Sequence, residues 1–485
     1  MDIFQHQYTG WVGTRRGLAS DMNIRPTTQD AYELLHQGAL ALADVEANGI
    51  RIDTKKLQEN IEQTSKRIEH LTTMIKRSDV WKVWKKVFGT DANIDSPDQL
   101  GKVLFKHMDY TCPDEARTRT GRPKTDVETL SQLNIDFVKR YIKIKQLKKA
   151  RDTYLRGIQR ETVDGFMHPV FTLHLARSFR GSSDHPNFQN QPVRVDWIAK
   201  LIRSCYIARP NHHFVEVDYD GAEIRISTCN HKDPHMISYI ENESSDLHRD
   251  VSAECYICEA DQITKDARYS AKSRFVFPQF YGDWYKNCAR GLWENIDSMN
   301  LTLVNGTPIK EHLARKGIKR LGACDKNQKP KSGTFEKHIQ EVEHRFWYDL
   351  FPDYREWKET HWAKYQKHGR FSMLTGFTVE GLYGRKEVIN YCIQGPAFHC
   401  LLWSLIKLNA KMKRLKMRSL IIGQIHDSIV ADVHKDELDD FLYLSNKIMT
   451  QTIRHAWKWI IVPLKVEAEV APLGGSWFDK EKVEI

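Results

Sequence analysis

Phe214-Val-Glu-Val-Asp-Tyr-Asp-Gly-Ala-Glu-Ile-Arg225 and Gln424-Ile-His-Asp-Ser-Ile-Val430 are the two segments on which the fold of this chain turns. In the first, a β-type run, Phe214–Asp218, ends on an aspartate. In the second, Asp427 stands in His426-Asp427-Ser428, between the β-type runs Leu420–Ile425 and Ile429–Val433. Each aspartate is expected to project its carboxylate from a strand end or a tight turn. Two such carboxylates side by side repel unless cations lie between them. Hard divalent ions suit that place, because they accept oxygen ligands and keep sites free for waters and phosphate oxygens. Strand-end aspartates are also commonplace, so the surrounding sequence has to decide.

Between these two segments, Ala267-Arg-Tyr-Ser-Ala-Lys-Ser-Arg-Phe-Val-Phe-Pro-Gln-Phe-Tyr-Gly282 places Arg268 and Lys272 four residues apart. On a helix they stack on one face, where a forked donor beside a point charge suits a triphosphate. A basic surface helix would explain the cations, but not Phe275, Phe277, Phe280 and Tyr281 beside them. Farther upstream, Lys139, Arg140, Lys143, Lys145, Lys148, Lys149 and Arg151 form a cationic run with no acid before Asp152. It reads either as a one-sided solvated surface or as a rail for phosphates, where each cation releases a condensed counterion.

The rest of the chain sets the frame. Its 485 residues suit two or three lobes, and 41% hydrophobic content excludes wholesale disorder. No run approaches the roughly 20 apolar residues of a spanning helix, and the start lacks a signal-peptide pattern. Nine scattered cysteines suggest reduced thiols in a cytoplasmic setting, and the net charge of +10 permits a polyanionic partner. Residues 1–37 are expected to be an arm of unknown role, with a first helix over Tyr32–Glu46 that stops at Asn48-Gly49. Ile50–Ile52 reads as a short strand, and Asp53 or Thr54 caps a helix whose apolar face is Leu57, Ile61, Ile68, Leu71 and Ile75. His212 and His213 read as a turn, the lone Cys255/Cys258 pair as helix or core, and about 300–333 as a loop-bearing insertion.

With these residues in view, the chain resembles the family A DNA polymerases, the bacterial DNA polymerase I type. Phe214–Arg225 resembles motif A, Arg268–Gly282 motif B and Gln424–Val430 motif C. Arg180-Gly-Ser-Ser-Asp-His-Pro-Asn-Phe-Gln-Asn-Gln-Pro-Val-Arg194, Asn390-Tyr-Cys-Ile-Gln-Gly395 and Asp246-Leu-His248 agree, in the family's order. The resemblance covers roughly residue 38 to the C-terminus. It implies an α+β right-hand polymerase with an antiparallel-sheet palm, a helical thumb and helical fingers. Palm entry and thumb would span 38–165, the first part of the palm 166–228, the fingers 229–394 and the second part of the palm 395–485.

The resemblance also implies roles. Asp218 and Asp427 would hold two Mg2+ ions, with Mn2+ as a substitute. His248, Arg268, Lys272, Phe277 and Tyr219 would meet the dNTP, and Glu223 with Tyr281 would exclude a 2′-hydroxyl. Arg180, Asn187, Gln189, Asn190, Gln394 and His426 would line the minor groove and primer end, and Lys143 and Lys148 would contact DNA from the thumb. Primer–template DNA and dNTPs are the implied partners. A polymerase-only chain of phage or prophage type is expected, with editing, unwinding or processivity supplied by a separate exonuclease, helicase or clamp factor, and no membrane. A single-subunit RNA polymerase, which also reads His-Asp-Ser, and a non-catalytic DNA-binding scaffold are the rival readings.

Three departures from the family pattern stand out. Ser428 replaces the usual glutamate of motif C, and Asp220-Gly221-Ala222 replaces Ser-Gln-Ile in motif A, so that Asp220 is a candidate for the missing charge. Motif B carries one extra residue between Lys272 and Phe277 and has Pro278 inside it. One residue rotates a helix by about 100°, so a π-type turn near 273–277 is expected to absorb it and return Phe277 and Tyr281 to the active face.

Overall fold

The computed structural model describes residues 26–485 apart from 113–115, 119, 194, 243 and 326. Residues 1–25 of the expected arm, and Arg194 at the end of its block, lie outside the described residues.

Five strands form the central sheet: β1 (His212–Tyr219), β2 (Leu420–Ile425), β3 (Ser428–His434), β4 (Val466–Val470) and β5 (Glu481–Val483). Their order is β5-β4-β1-β3-β2, each neighbour antiparallel. The three strands expected from the sequence are present. β1 is longer than expected, because His212 and His213 pair with His434 and Val433 instead of forming a turn. β4 was legible but unread: Val466, Ala468 and Val470 alternate with Glu467 and Glu469.

Alternation along β1 sends Val215, Val217 and Tyr219 to one face and Phe214, Glu216 and Asp218 to the other. The first face is buried beneath the helix Arg385–Leu415. Tyr219, expected at the nucleotide, is therefore a core residue. Its hydroxyl donates to Met449 O at 2.9 Å and lies 3.0 Å from Ser404 Oγ.

The first helix spans Thr28–Asn48, starting earlier than expected and absorbing residues 28–37 of the supposed arm. Its N-terminus is a reciprocal cap: Asp30 N donates to Thr27 Oγ1, and Thr27 N donates to Asp30 Oδ2 at 2.6 Å. It ends where the Asn-Gly pair predicts, with Gly49 at φ +63°. Asp53 caps Thr54–Lys76, on which Leu57, Ile61, Ile68 and Ile75 are buried. A separate core gathers Trp81, Trp84, Phe137 and Tyr141 around these helices.

A third core holds Phe275, Phe280, Phe346, Phe351 and Tyr354. Leu301, Leu303, Ile309 and Leu313 belong to it, so the stretch read as a loop-bearing insertion is packed and carries the helix Ile309–Arg315. Cys255 is buried at the end of helix Leu247–Tyr256, in keeping with a core role. None of the described helices is long and apolar enough to cross a membrane.

Lys358 is an oddity of this core. It is buried, its Nζ sits 3.2 Å from the centroid of the Trp347 ring, and no ion pair to it is formed among the described residues. Burial, and then the nearby Arg385, push its pKa down to about 7. Through this group the folded state binds fewer protons than the unfolded state between pH about 7 and 10.5, so the contribution of Lys358 to stability rises with pH across that window. Lys358→Met is expected to stabilise the fold by about 1–2 kcal/mol below pH 7. In urea melts its advantage over wild type should shrink steadily toward pH 10. An advantage that is constant with pH would refute the assignment.

Candidate active site

The site grows from the end of β1 and the β2–β3 turn. Asp218 pairs across the ladder with Ser428, the residue after Asp427. His426, at φ +49°, reverses the chain, and Tyr219 N donates to Asp427 O at 3.2 Å. Residues from two distant segments are thereby brought to one corner. Burial, and then the charges of Asp427 and Glu216, raise the Asp218 pKa to about 7. Burial also raises that of Asp427, against the pull of Arg180. Asp427 Oδ1 is buried, has no hydrogen-bond partner among the described residues, and lies 3.9 Å from Arg180 Nη2. Two repelling, desolvated carboxylates with an unsatisfied oxygen fit a hard divalent cation. No group of three or more acidic, His or Cys side chains is arranged for a metal among the described residues.

Next to this pair, Glu223 is locked in place. Tyr281 Oη donates to Glu223 Oε2, and Arg180 Nη1 approaches Glu223 Oε1 at 3.4 Å. Gly221, at φ +63°, makes the left-handed turn from β1 into the helix Ala222–His231 that carries Glu223. A side chain there would be strained, so the departure Asp220-Gly221-Ala222 belongs to the local backbone path.

The third element is the Lys265–Phe280 segment. It begins as a regular helix, Lys265–Ala271, and widens over Lys272–Val276. Phe277 N there donates to Lys272 O, five residues back instead of four. The expected π-type turn is thus present. Regular bonding resumes with Tyr281 N to Phe277 O at 2.9 Å. Pro278 falls in the first turn after the wide one, where a missing N–H does least harm. Lys272 Nζ lies 5.2 Å from the Phe277 ring centroid, His248 packs edge-on to that ring at 5.6 Å, and Tyr281 is 6.2 Å away. Arg268 is held by Asp246 at 2.6 Å. Burial, then Lys272 and Arg268, push the His248 pKa down to about 4.

The family model described as DNA polymerase family A matches residues 54–298 and 374–479. The chain belongs to DNA polymerase family A. This family A chain is 26% identical over 449 residues to DNA polymerase I of Lactococcus lactis subsp. cremoris, covering 91% of the chain and 45% of that protein. Against DNA polymerase I of Geobacillus stearothermophilus it is 24% identical over 464 residues, covering 94% and 47%. It therefore spans less than half the length of these relatives. Among solved structures, the POL domain of Pol1 from M. smegmatis, in complex with DNA primer-template and dNTP, aligns with TM-score 0.70 at 21% identity, over 93% of this chain and 73% of that one. The fold is thus the α+β right-hand polymerase fold, with an antiparallel-sheet palm and helical thumb and fingers. The model match leaves 299–373 unmatched, a stretch that includes the expected insertion at 300–333.

The other residues expected at the site of this family A chain have varied surroundings. Gln189 is buried and donates to Gln424 Oε1 at 2.6 Å, and Gln424 in turn donates to His426 O. Asn187 Oδ1 accepts from Asn190 N at 3.0 Å, so these two shape their loop. Gln394 is half-buried on the long helix. Lys148 and Lys145 both grip Asp95, at 2.7 and 3.0 Å, and Lys143 Nζ sits 3.2 Å from the Trp197 ring centroid. The cationic helix is therefore partly neutralised by an acid from a distant loop, which counting charges along one helix does not reveal. Asp220 pairs with Arg225 at 3.6 Å, away from Ser428. The contact to Ser428 comes from Glu216, a residue missed in the sequence although its position, two before Asp218, puts it on the same face. Asp246 stands out in the sequence only as part of a motif; its partnership with Arg268 needed the fold.

Proposed function

We propose that this family A chain is a template-directed DNA polymerase that adds dNTPs to a primer 3′-hydroxyl and releases pyrophosphate. The observation that carries the reading is the meeting of Asp218 and Asp427 at one sheet corner beside the Tyr281–Glu223–Arg180 lock. Two likenesses support it: the relatives are DNA polymerase I proteins, and the similar Pol1 domain was solved in complex with DNA primer-template and dNTP.

In this reading Asp218 and Asp427 hold two Mg2+ ions. When bound, such ions activate the attacking hydroxyl and offset charge on the leaving pyrophosphate. Arg268 and Lys272 bind the triphosphate, Arg268 being aimed by Asp246. His248, whose pKa in the nucleotide-free chain is pushed down to about 4 by burial and then by Lys272 and Arg268, offers a ring N–H to the triphosphate. Glu223, fixed by Tyr281 and Arg180, fills the space beside the sugar 2′ carbon. Most of the acceleration then comes from positioning and fixed charge.

Extension of a labelled primer–template with Mg2+ and either dNTPs or NTPs tests this reading. Product with dNTPs alone is expected. Product with NTPs would favour the RNA polymerase alternative, and duplex binding without product the scaffold. Phe277 sets a further expectation, because its ring offers no hydroxyl where an incoming sugar lacks its own 3′ group. Phe277→Tyr should raise dideoxynucleotide incorporation relative to dNTP by about 10-fold or more, the worth of one buried hydrogen bond. Competition assays at equal concentrations read the ratio, and an unchanged ratio would place Phe277 away from the sugar.

A further inference from the structure

Glu216 and Ser428 form a link that no expected role uses. Ser428 stands directly across the ladder from Asp218 and immediately follows Asp427. Its Oγ lies 2.8 Å from Glu216 Oε1 and 3.0 Å from Ile425 O. The other carboxylate oxygen, Glu216 Oε2, accepts from Trp477 Nε1 at 3.0 Å and from Lys480. Glu216 shares its sheet face with Asp218, one side-chain repeat away. Its carboxylate therefore ends where an acidic side chain at position 428 would end, reached from β1 instead of β3.

We infer that Glu216 supplies the third negative group of the two-aspartate centre, as a positioning residue that tethers the Asp427–Ser428 turn to β1 and sets charge beside Asp218. The inference rests on the metal-dependent polymerase reading above. Two other acids are near, and neither fits as well. Asp220 turns to Arg225, and Glu467, across from Asp218 on β4, is more than half exposed and paired with Lys482. Glu216 alone among these three touches the residue next to Asp427. Trp477 and Lys480 clamp it from behind; Lys480 is an ion-pair partner of Glu216, but it is shared with Glu469 and leaves Glu216 Oε1 on Ser428, so the carboxylate is held toward the turn.

The test moves the carboxylate between strands. Mn2+ binding to the free full chain is read by electron paramagnetic resonance, with folding followed by circular dichroism and Mg2+ half-saturation of primer extension measured alongside. Glu216→Gln is expected to weaken Mn2+ about 10-fold, the usual effect of losing an outer partner of a metal ligand. Glu216→Ala with Ser428→Glu, which returns the carboxylate from β3, should recover most of that loss. Wild-type Mn2+ affinity in Glu216→Gln, or no recovery in the double variant, would overturn the proposal. Should Glu216→Gln fail to fold, Ser428→Ala decides: a raised Mg2+ half-saturation at unchanged dNTP KM supports the tether, and an unchanged one overturns it. A wild-type chain that binds Mn2+ but extends no primer would sink the polymerase reading alone, since the Glu216 comparison is read on the free protein.

Discussion

Asp427→Asn is expected to lower nucleotide addition by about 1,000-fold or more while leaving primer–template binding intact. The substitution keeps the size of the side chain and removes its charge. In a desolvated site, losing one of two anionic holders of a catalytic cation forfeits several kcal/mol of transition-state stabilisation, and about 4 kcal/mol is a thousand-fold. Single-turnover extension beside a duplex-binding assay checks it, and extension at the wild-type rate would refute the assignment of Asp427. Burial of the pair has a second, opposite consequence. Both aspartates have pKa values raised by burial, that of Asp218 to about 7. Through Asp218 the metal-free folded state therefore binds more protons than the unfolded state between pH about 4 and 7, and the contribution of this group to stability falls as pH rises through that window. Asp218→Asn should melt higher than wild type at pH 7 without metal and lose that advantage near pH 4.

Glu223→Ala is expected to reduce the preference for dNTP over NTP by about 100-fold, mainly through gain of NTP incorporation. Glu223 is held by Tyr281 on one oxygen and approached by Arg180 on the other, so it cannot swing aside to admit a 2′-hydroxyl. Truncation removes the obstacle and leaves both partners free to meet the added hydroxyl. Discrimination by one group in a shaped pocket is worth roughly 1–3 kcal/mol, which sets the scale. Incorporation of dATP and ATP opposite one template base, compared as kcat/KM, reads the effect. A preference unchanged in Glu223→Ala would show that the sugar is selected elsewhere. Tyr281→Phe should move the same ratio less, because it unlocks Glu223 without removing it.

How far the site could be read in advance differs from residue to residue. The wide turn over Lys272–Val276 was predictable because an extra residue and a proline leave a helix few ways to continue. The burial of Tyr219 was not read, although alternation after Val215 and Val217 puts it on the core face of β1. The partial neutralisation of the cationic helix was not legible for a different reason: Asp95, which pairs with Lys145 and Lys148, lies outside the helix and far away in the chain. The composition of 300–333, rich in Gly, Asn and Lys, did not reveal how it packs: Leu301, Leu303, Ile309, Leu313 and Ile318 anchor the stretch in the third core.

The features readable along the chain alone are local and chemical: four of the five sheet strands, β4 by its alternation, the helix caps at Asn48-Gly49 and Asp53, two strand-end aspartates, and the motif order that marks the family. These are set by torsion preferences and side-chain periodicity within a few residues. Which groups meet was settled only by the packed fold. The Ser428–Glu216 link joins positions 212 apart, and the Glu223–Tyr281 lock joins positions 58 apart. Such meetings follow from strand register and helix docking, which are fixed by burying whole apolar faces at once. A one-residue slip of β3 against β1 would turn the side chains of β3 to the opposite face and take Ser428 away from Glu216 and Asp218.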